Sequence, residues 1–247
     1  MADLVRYERG ETVSTLALDD GKVNALSPAM FASLNAALDR AQADGTAVLL
    51  TGRGKVFSGG FDLAVFRQGA AAVDMLTAGA CMAERLLSFP APVVAAVNGH
   101  AIAMGLFLVL CADLRIGVSN GAARMQANEV QIGMTVPRFA TEVCRQRLAP
   151  ADFSRALVTA APYAPEEALR AGMLDALLPA DGFLRACHEQ AAALAELNRE
   201  HHAASKLRVR AIALAALRRA IEEDAADWRA RLGPGAGGDR APPQGRR

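Results

Sequence analysis

The sequence predicts an α/β fold, and three features carry that expectation. Short apolar runs ("TAVLLTG", "APVVAAVNG", "ADLRIGV") alternate with stretches of helical period, the pattern of strand–helix–strand crossovers. A β-hairpin pattern opens the chain, and beyond Pro150 the signal becomes almost entirely helical. With 247 residues, 52% of them hydrophobic, the chain can bury a core of ordinary size without metal or disulfide staples.

Taken in order, "LVRYERGETVSTLALDD" reads as two strands joined at Gly10, with period-two alternation through Val13, Thr15 and Ala17. Ser27 then suits a helix N-cap and Pro28 the first helical position, followed by Met30, Leu34, Ala37 and Leu38 at helical spacing. "TAVLLTG" follows as a buried strand. A helix is expected over 70–88, a strand at "APVVAAVNG", a helix from about Gly105 and a strand at "ADLRIGV". "PEEALRAGM" opens on Pro and acids and closes on Gly, as a short helix does. Residues 183–198 and 203–223 read as longer amphipathic helices. The chain divides into a core of residues 1–195, a helical region of 196–232 and a Gly/Pro/Arg tail of 233–247, which has nothing to bury and is expected to be disordered.

Lys and Arg number 27 against 26 Asp and Glu, a net charge of +1, and no stripe of interleaved basic and aromatic residues is present. Nucleic acid is therefore not an expected partner, and a small molecule is. Cys81, Cys111, Cys144 and Cys187 are scattered among apolar residues without metal-ligand spacing, so they read as buried free thiols. "MADLVRYERGE" lacks the apolar stretch of a signal peptide, and residues 101–112 are too short an apolar run to span a bilayer. The expectation is a cytoplasmic protein with no membrane partner, no metal and no cofactor.

Two glycine turns stand out. "GRGKVFSGGFDL" follows one expected strand and "NGHAIAMG" another, each placing Gly just before an expected helix, where main-chain N–H groups are free. Facing each other, such turns would make an oxyanion hole. Taken singly, each is equally at home as tight packing, and neither fits the phosphate-binding patterns GxGxxG or GxxxxGK[ST].

Taken together, "VNALS", "GKVFSGGFDL", "PVVAAVNGHAIAMG…CADLRI", "ANEVQIGM" and "PEEALRAGMLDALLP", in this order across residues 10–185, resemble the crotonase, or enoyl-CoA hydratase/isomerase, family. The resemblance implies a spiral of ββα units with a helical C-terminal region, assembled as trimers or dimers of trimers and acting on acyl-CoA thioesters. Coenzyme A is then part of the substrate. Two main-chain N–H groups would bind the thioester carbonyl, matched here by Gly59 and Met104. Ala103 and Met104 depart from the family's consecutive glycines, and Gly105 would bring the helix start close to the ligand.

By the same resemblance Glu129, in "MQANEVQIGM", is the catalytic acid/base. Outside that resemblance it would pass for a surface Glu at a helix start. Where family hydratases carry a second Glu, this sequence has Phe107. Water addition needs both an activated water and a delivered proton, a task for paired carboxylates, whereas moving a double bond from position 3 to position 2 needs one base that returns the proton. "NEVQIGM" also resembles the single-Glu isomerases, with Asn128 where hydratases commonly have Pro. The expectation is a 3,2-enoyl-CoA isomerase. A hydratase drawing a second acid from another loop, and a catalytically silent acyl-CoA-binding protein, are the alternatives.

The resemblance further implies that Val23, Ala25 and Leu26 with Phe61, Asp62 and Leu63 line the coenzyme A path. Lys22 and Lys206 are candidates for its phosphates, although solvation explains an exposed Lys equally well. His100, His188, His201 and His202 accompany no nucleophile motif and read as surface or helix-terminal residues.

Overall fold

The computed structural model describes residues 4–119 and 121–233. The opening hairpin is formed by β1 (Val5–Arg9) and β2 (Val13–Leu18), and α1 (Pro28–Asp44) follows. Ser27 caps α1 by accepting from the Met30 N–H at 3.1 Å, and Gly45 ends it in the left-handed region at φ 73°.

The chain then repeats one pattern: β3 (Ala47–Gly52), β4 (Val56–Ser58) and α2 (Ala70–Ser88); β5 (Val93–Val97), β6 (His100–Ile102) and α3 (Met104–Leu110); β7 (Leu114–Val118), β8 (Met125–Gln126) and α4 (Arg138–Arg145). Each repeat gives its first strand to a six-stranded sheet of order β1-β2-β3-β5-β7-β9 and its second to a three-stranded sheet of order β4-β6-β8. This is the expected spiral of ββα units. The remaining elements are α5 (Pro150–Val158), α6 (Pro165–Arg170), β9 (Ala176–Leu178), α7 (Phe183–Ala195), α8 (Arg199–Val209) and α9 (Ala211–Leu232).

The central strands read as unbroken apolar runs because both faces of the large sheet are covered. Val48 and Leu50 of β3, with Val93, Ala95 and Val97 of β5, enter the main core against the helices. Their alternate neighbours Ala47, Leu49, Val94 and Ala96 pack with Phe183, Cys187 and Ala191 of α7 on the opposite face.

Three expectations need correction. The 203–223 stretch is two helices: α8 ends at Val209, and α9 starts at Ala211 and runs to Leu232. The region after Pro150 also contributes a strand, β9, which pairs in parallel with β7. Cys81 is exposed, whereas Cys111, Cys144 and Cys187 are buried. The tail beyond Gly233 lies outside the described residues.

Candidate active site

The small sheet builds the site. Its strands are all parallel, so the chain leaves β4, β6 and β8 at the same edge. Gly59, Ala103 and Ala127 are the first residues out, and Phe61, Met104 and Glu129 follow within three positions. The segments touch: a Cβ on Gly60 would stand 2.9 Å from the Ile102 carbonyl oxygen and 3.5 Å from the Met104 nitrogen. The Ala103 N–H donates to the Gln126 carbonyl at 2.7 Å, tying the second segment to the third.

Following each N–H to its acceptor locates the free donors. Gly59, expected to point its N–H at a ligand, instead donates to the Val23 carbonyl at 2.8 Å, so that donor is occupied. Gly60 donates to Ser58 Oγ at 3.1 Å and Asp62 to the Leu26 carbonyl at 3.3 Å. Between them, the Phe61 N–H has no acceptor among the described residues. The Met104 N–H, at the first position of α3, has none either.

Val23, Ala25 and Leu26 do lie alongside residues 59–62. The Leu26 N–H donates to the Gly60 carbonyl at 2.8 Å, making an isolated parallel bridge to Phe61. Leu26 is buried in the core, whereas Lys22, Val23 and Leu63 are exposed and Ala25, Phe61 and Asp62 half-buried. Two residues that sequence reasoning passed over hold this loop. Asp20 accepts from the N–H groups of Lys22 (2.8 Å), Asn24 (2.7 Å) and Ala25 (2.8 Å). Partial burial pushes its carboxyl up, but these amides outweigh that and hold it below its ordinary value. Asn24, at φ 55°, donates its side-chain N–H to the Val56 carbonyl at 2.8 Å. The signal was present in "DDGKVN", where Asp and Asn flank a Gly turn.

Glu129 is 5% exposed, at the start of a short 3-10 turn over Val130–Ile132. Its Oε2 and the neighbouring Asn128 Oδ1 are buried with no partner among the described residues. Burial pushes the Glu129 carboxyl from its ordinary value up to about 7, opposed only by a hydrogen bond to its own backbone. Among the described residues the other buried carboxylate is Asp224, and it is committed: it accepts from the Arg138 and Phe139 N–H groups at 3.1 and 2.9 Å. Phe107 is fully buried in the core, and no group of His, Cys, Asp and Glu among the described residues is arranged to hold a metal.

Lys206 is not available to a phosphate. Its side chain is 3% exposed, pairs with Asp113 at 2.6 Å and donates to the Phe89 and Ala91 carbonyls at 2.8 Å each. His202 is also half-buried rather than at the surface, 3.9 Å from Asp113, and burial lowers its pKa.

Paired glycine turns at one edge of a parallel sheet, inside a ββα spiral, define a crotonase-type protein. The chain belongs to the enoyl-CoA hydratase/isomerase family, whose sequence profile matches residues 8–229. A putative enoyl-CoA hydratase of Thermus thermophilus is 34% identical over 204 residues, 78% of this chain and 76% of that protein. A Mycobacterium tuberculosis protein described as an enoyl-CoA isomerase is 46% identical in its apo structure, with a TM-score of 0.88 over 92% of this chain and 100% of that one. A second structure, described as a probable enoyl-CoA hydratase from the same organism, is 45% identical with a TM-score of 0.89 over 92% and 97%. Among the described residues no helix is long and apolar enough to cross a membrane.

Proposed function

We propose that this acyl-CoA enzyme is a 3,2-enoyl-CoA isomerase, with Glu129 as its one acid/base and the Phe61 and Met104 N–H groups as its oxyanion donors. The observation that carries the reading is the state of Glu129, a buried carboxylate whose Oε2 has no partner among the described residues, while Phe107, at the position where the family resemblance puts a hydratase's second acid, is a fully buried ring. In the reaction the ionised carboxylate takes a proton from C2 of the 3-enoyl thioester. The C2–H electron pair moves into a dienolate whose negative charge lies largely on the thioester oxygen. Two preformed N–H donors stabilise that oxygen, each typically worth about 10²–10³ in rate, or about 3 kcal/mol. The carboxyl group then returns the proton at C4, leaving the double bond between C2 and C3. A water-poor site suppresses addition at C3 as a side reaction.

The test offers the purified protein a 3-enoyl-CoA and a 2-enoyl-CoA and follows double-bond migration and water addition separately, with Glu129→Gln alongside. Migration that exceeds hydration and disappears in the variant is the expected result. Dominant hydration makes the protein a hydratase, and thioester binding without turnover makes it a binding protein.

A further inference from the structure

Phe107 follows Met104 by one turn of α3, on the same side of that helix. Its ring meets Phe139 edge-on, with centroids 6.0 Å apart and planes at 88°. Phe139 meets Trp228 in the same manner, at 6.2 Å and 76°. A stack of rings therefore runs from the glycine turn, across the start of α4, to α9. Its inner members, Phe107 and Phe139, are fully buried, whereas Trp228 is half-buried. α9 fixes the middle ring, because Asp224, one turn before Trp228, accepts the Phe139 N–H. Helix α3 packs against α4, and the rings fill the seam between them one turn from the Met104 N–H.

We infer that the Phe107–Phe139–Trp228 stack closes the inner end of the acyl site and restricts the enzyme to short acyl chains, with Trp228 as the outermost stop. The inference rests on the reading of Glu129 as the base of an acyl-CoA isomerase. A longer chain has to displace rings packed at interior density, which resists added volume. Shortening a ring opens a path toward the surface beside α9.

Trp228 is the sole tryptophan of the sequence, so its emission reports on the stack directly. Wild-type protein is titrated with butyryl-CoA and with decanoyl-CoA, both saturated and unreactive, and affinities are read by calorimetry alongside that emission. Decanoyl-CoA is expected to bind about tenfold more weakly or worse. In Phe107→Leu, and in the milder Trp228→Ala at the half-buried end, the difference is expected to shrink to about threefold. Equal or tighter decanoyl-CoA binding by the wild type, or unchanged discrimination in the folded variants, overturns the inference. Chain-length discrimination without double-bond migration sinks the isomerase reading and supports the stack as a stop. Migration without chain-length discrimination does the reverse.

Discussion

A Cβ added to Gly105 would stand 2.7 Å from the carbonyl oxygen of Ser58 and 2.8 Å from its Cβ, so the two glycine turns meet at this pair. Gly105 is required for contact between two backbones, and the donor beside it, Met104, depends on that contact for its position. Gly105→Ala is expected to push the turns apart. Overpacking of this kind costs about 1–3 kcal/mol, read by urea unfolding. If Met104 supplies the proposed oxyanion donor, its displacement lowers kcat by about 10²–10³ in the migration assay. A variant with unchanged kcat would show that the spacing of the turns does not set the rate.

The second prediction concerns the pH dependence of the rate. As the proposed base, Glu129 acts only when ionised, and burial has pushed it up to about 7. For double-bond migration, kcat/KM is expected to rise tenfold per pH unit below about 7 and to level off above it, since this parameter reports the free enzyme. A profile already flat from pH 5 would mean that Glu129 is solvated or is not the base.

The same shift links Glu129 to stability. The folded state binds this proton more tightly than the unfolded chain, in which the carboxyl keeps its ordinary value of 4.5. Below pH 4.5 the group is neutral in both states and costs nothing. Between pH 4.5 and about 7 stability falls, by about 3 kcal/mol in all. Glu129→Gln removes that slope, so the stability difference between variant and parent should move in the variant's favour by about 3 kcal/mol from pH 4.5 to 8. Any cost of the unpaired amide is the same at both pH values. Urea unfolding curves that shift in parallel for the two proteins would refute the linkage.

These expectations show which parts of the molecule the sequence discloses. The β3 and β5 strands were legible because burial on both faces leaves an uninterrupted apolar run, and α1 because Ser27 and Pro28 mark its start and Met30, Leu34, Ala37 and Leu38 its period. β4, β6 and β8 were not, since strands of two or three residues have no period to read, yet they carry the site at their ends. The family resemblance matched the first donor to the N–H of Gly59. Which N–H is free depends on how residues 20–26 lie against residues 59–62, a pairing distant in sequence, and that pairing occupies Gly59 and leaves Phe61. Lys206 was misread for a related reason: a Lys is ordinarily solvated, and nothing in "SKLRVR" discloses Asp113 opposite it.

Lys206 gives the fourth prediction. Its ammonium joins α8 to Asp113 and to the Phe89 and Ala91 carbonyls between α2 and β5. Lys206→Met keeps the stem and removes the charge, leaving Asp113 to Arg210 at 2.9 Å and the Val93 N–H at 2.8 Å. Asp113 stays paired, and the Phe89 and Ala91 carbonyls lose their donor, which costs about 1–3 kcal/mol and for a chain of this length lowers Tm by about 5 °C. KM for the CoA thioester should not change. A raised KM with an unchanged Tm would return Lys206 to the role of a phosphate ligand.

Ala103 joins β6 to α3 at φ 48°, ψ −123°, a conformation that L residues rarely adopt. Its N–H is held by the Gln126 carbonyl and its own carbonyl by the Phe107 N–H at 3.1 Å, so the surrounding bonds impose the angle. Such strain costs on the order of 1–3 kcal/mol. Ala103→Gly relieves it, while the added freedom of the unfolded chain takes back about 0.4–1 kcal/mol. With the loss of its methyl contact included, the net expectation is a gain of about 0.5 kcal/mol, seen calorimetrically as a Tm higher by about 1–2 °C. One contact works against this gain: a Cβ at Gly60 would lie 3.0 Å from the Ala103 methyl, so that methyl sits directly over the first turn. Its burial is worth about 0.8 kcal/mol, too little to reverse the sign unless the strain lies at the bottom of its range. A lower Tm in the variant would show that the methyl braces the two turns more than the backbone resists it.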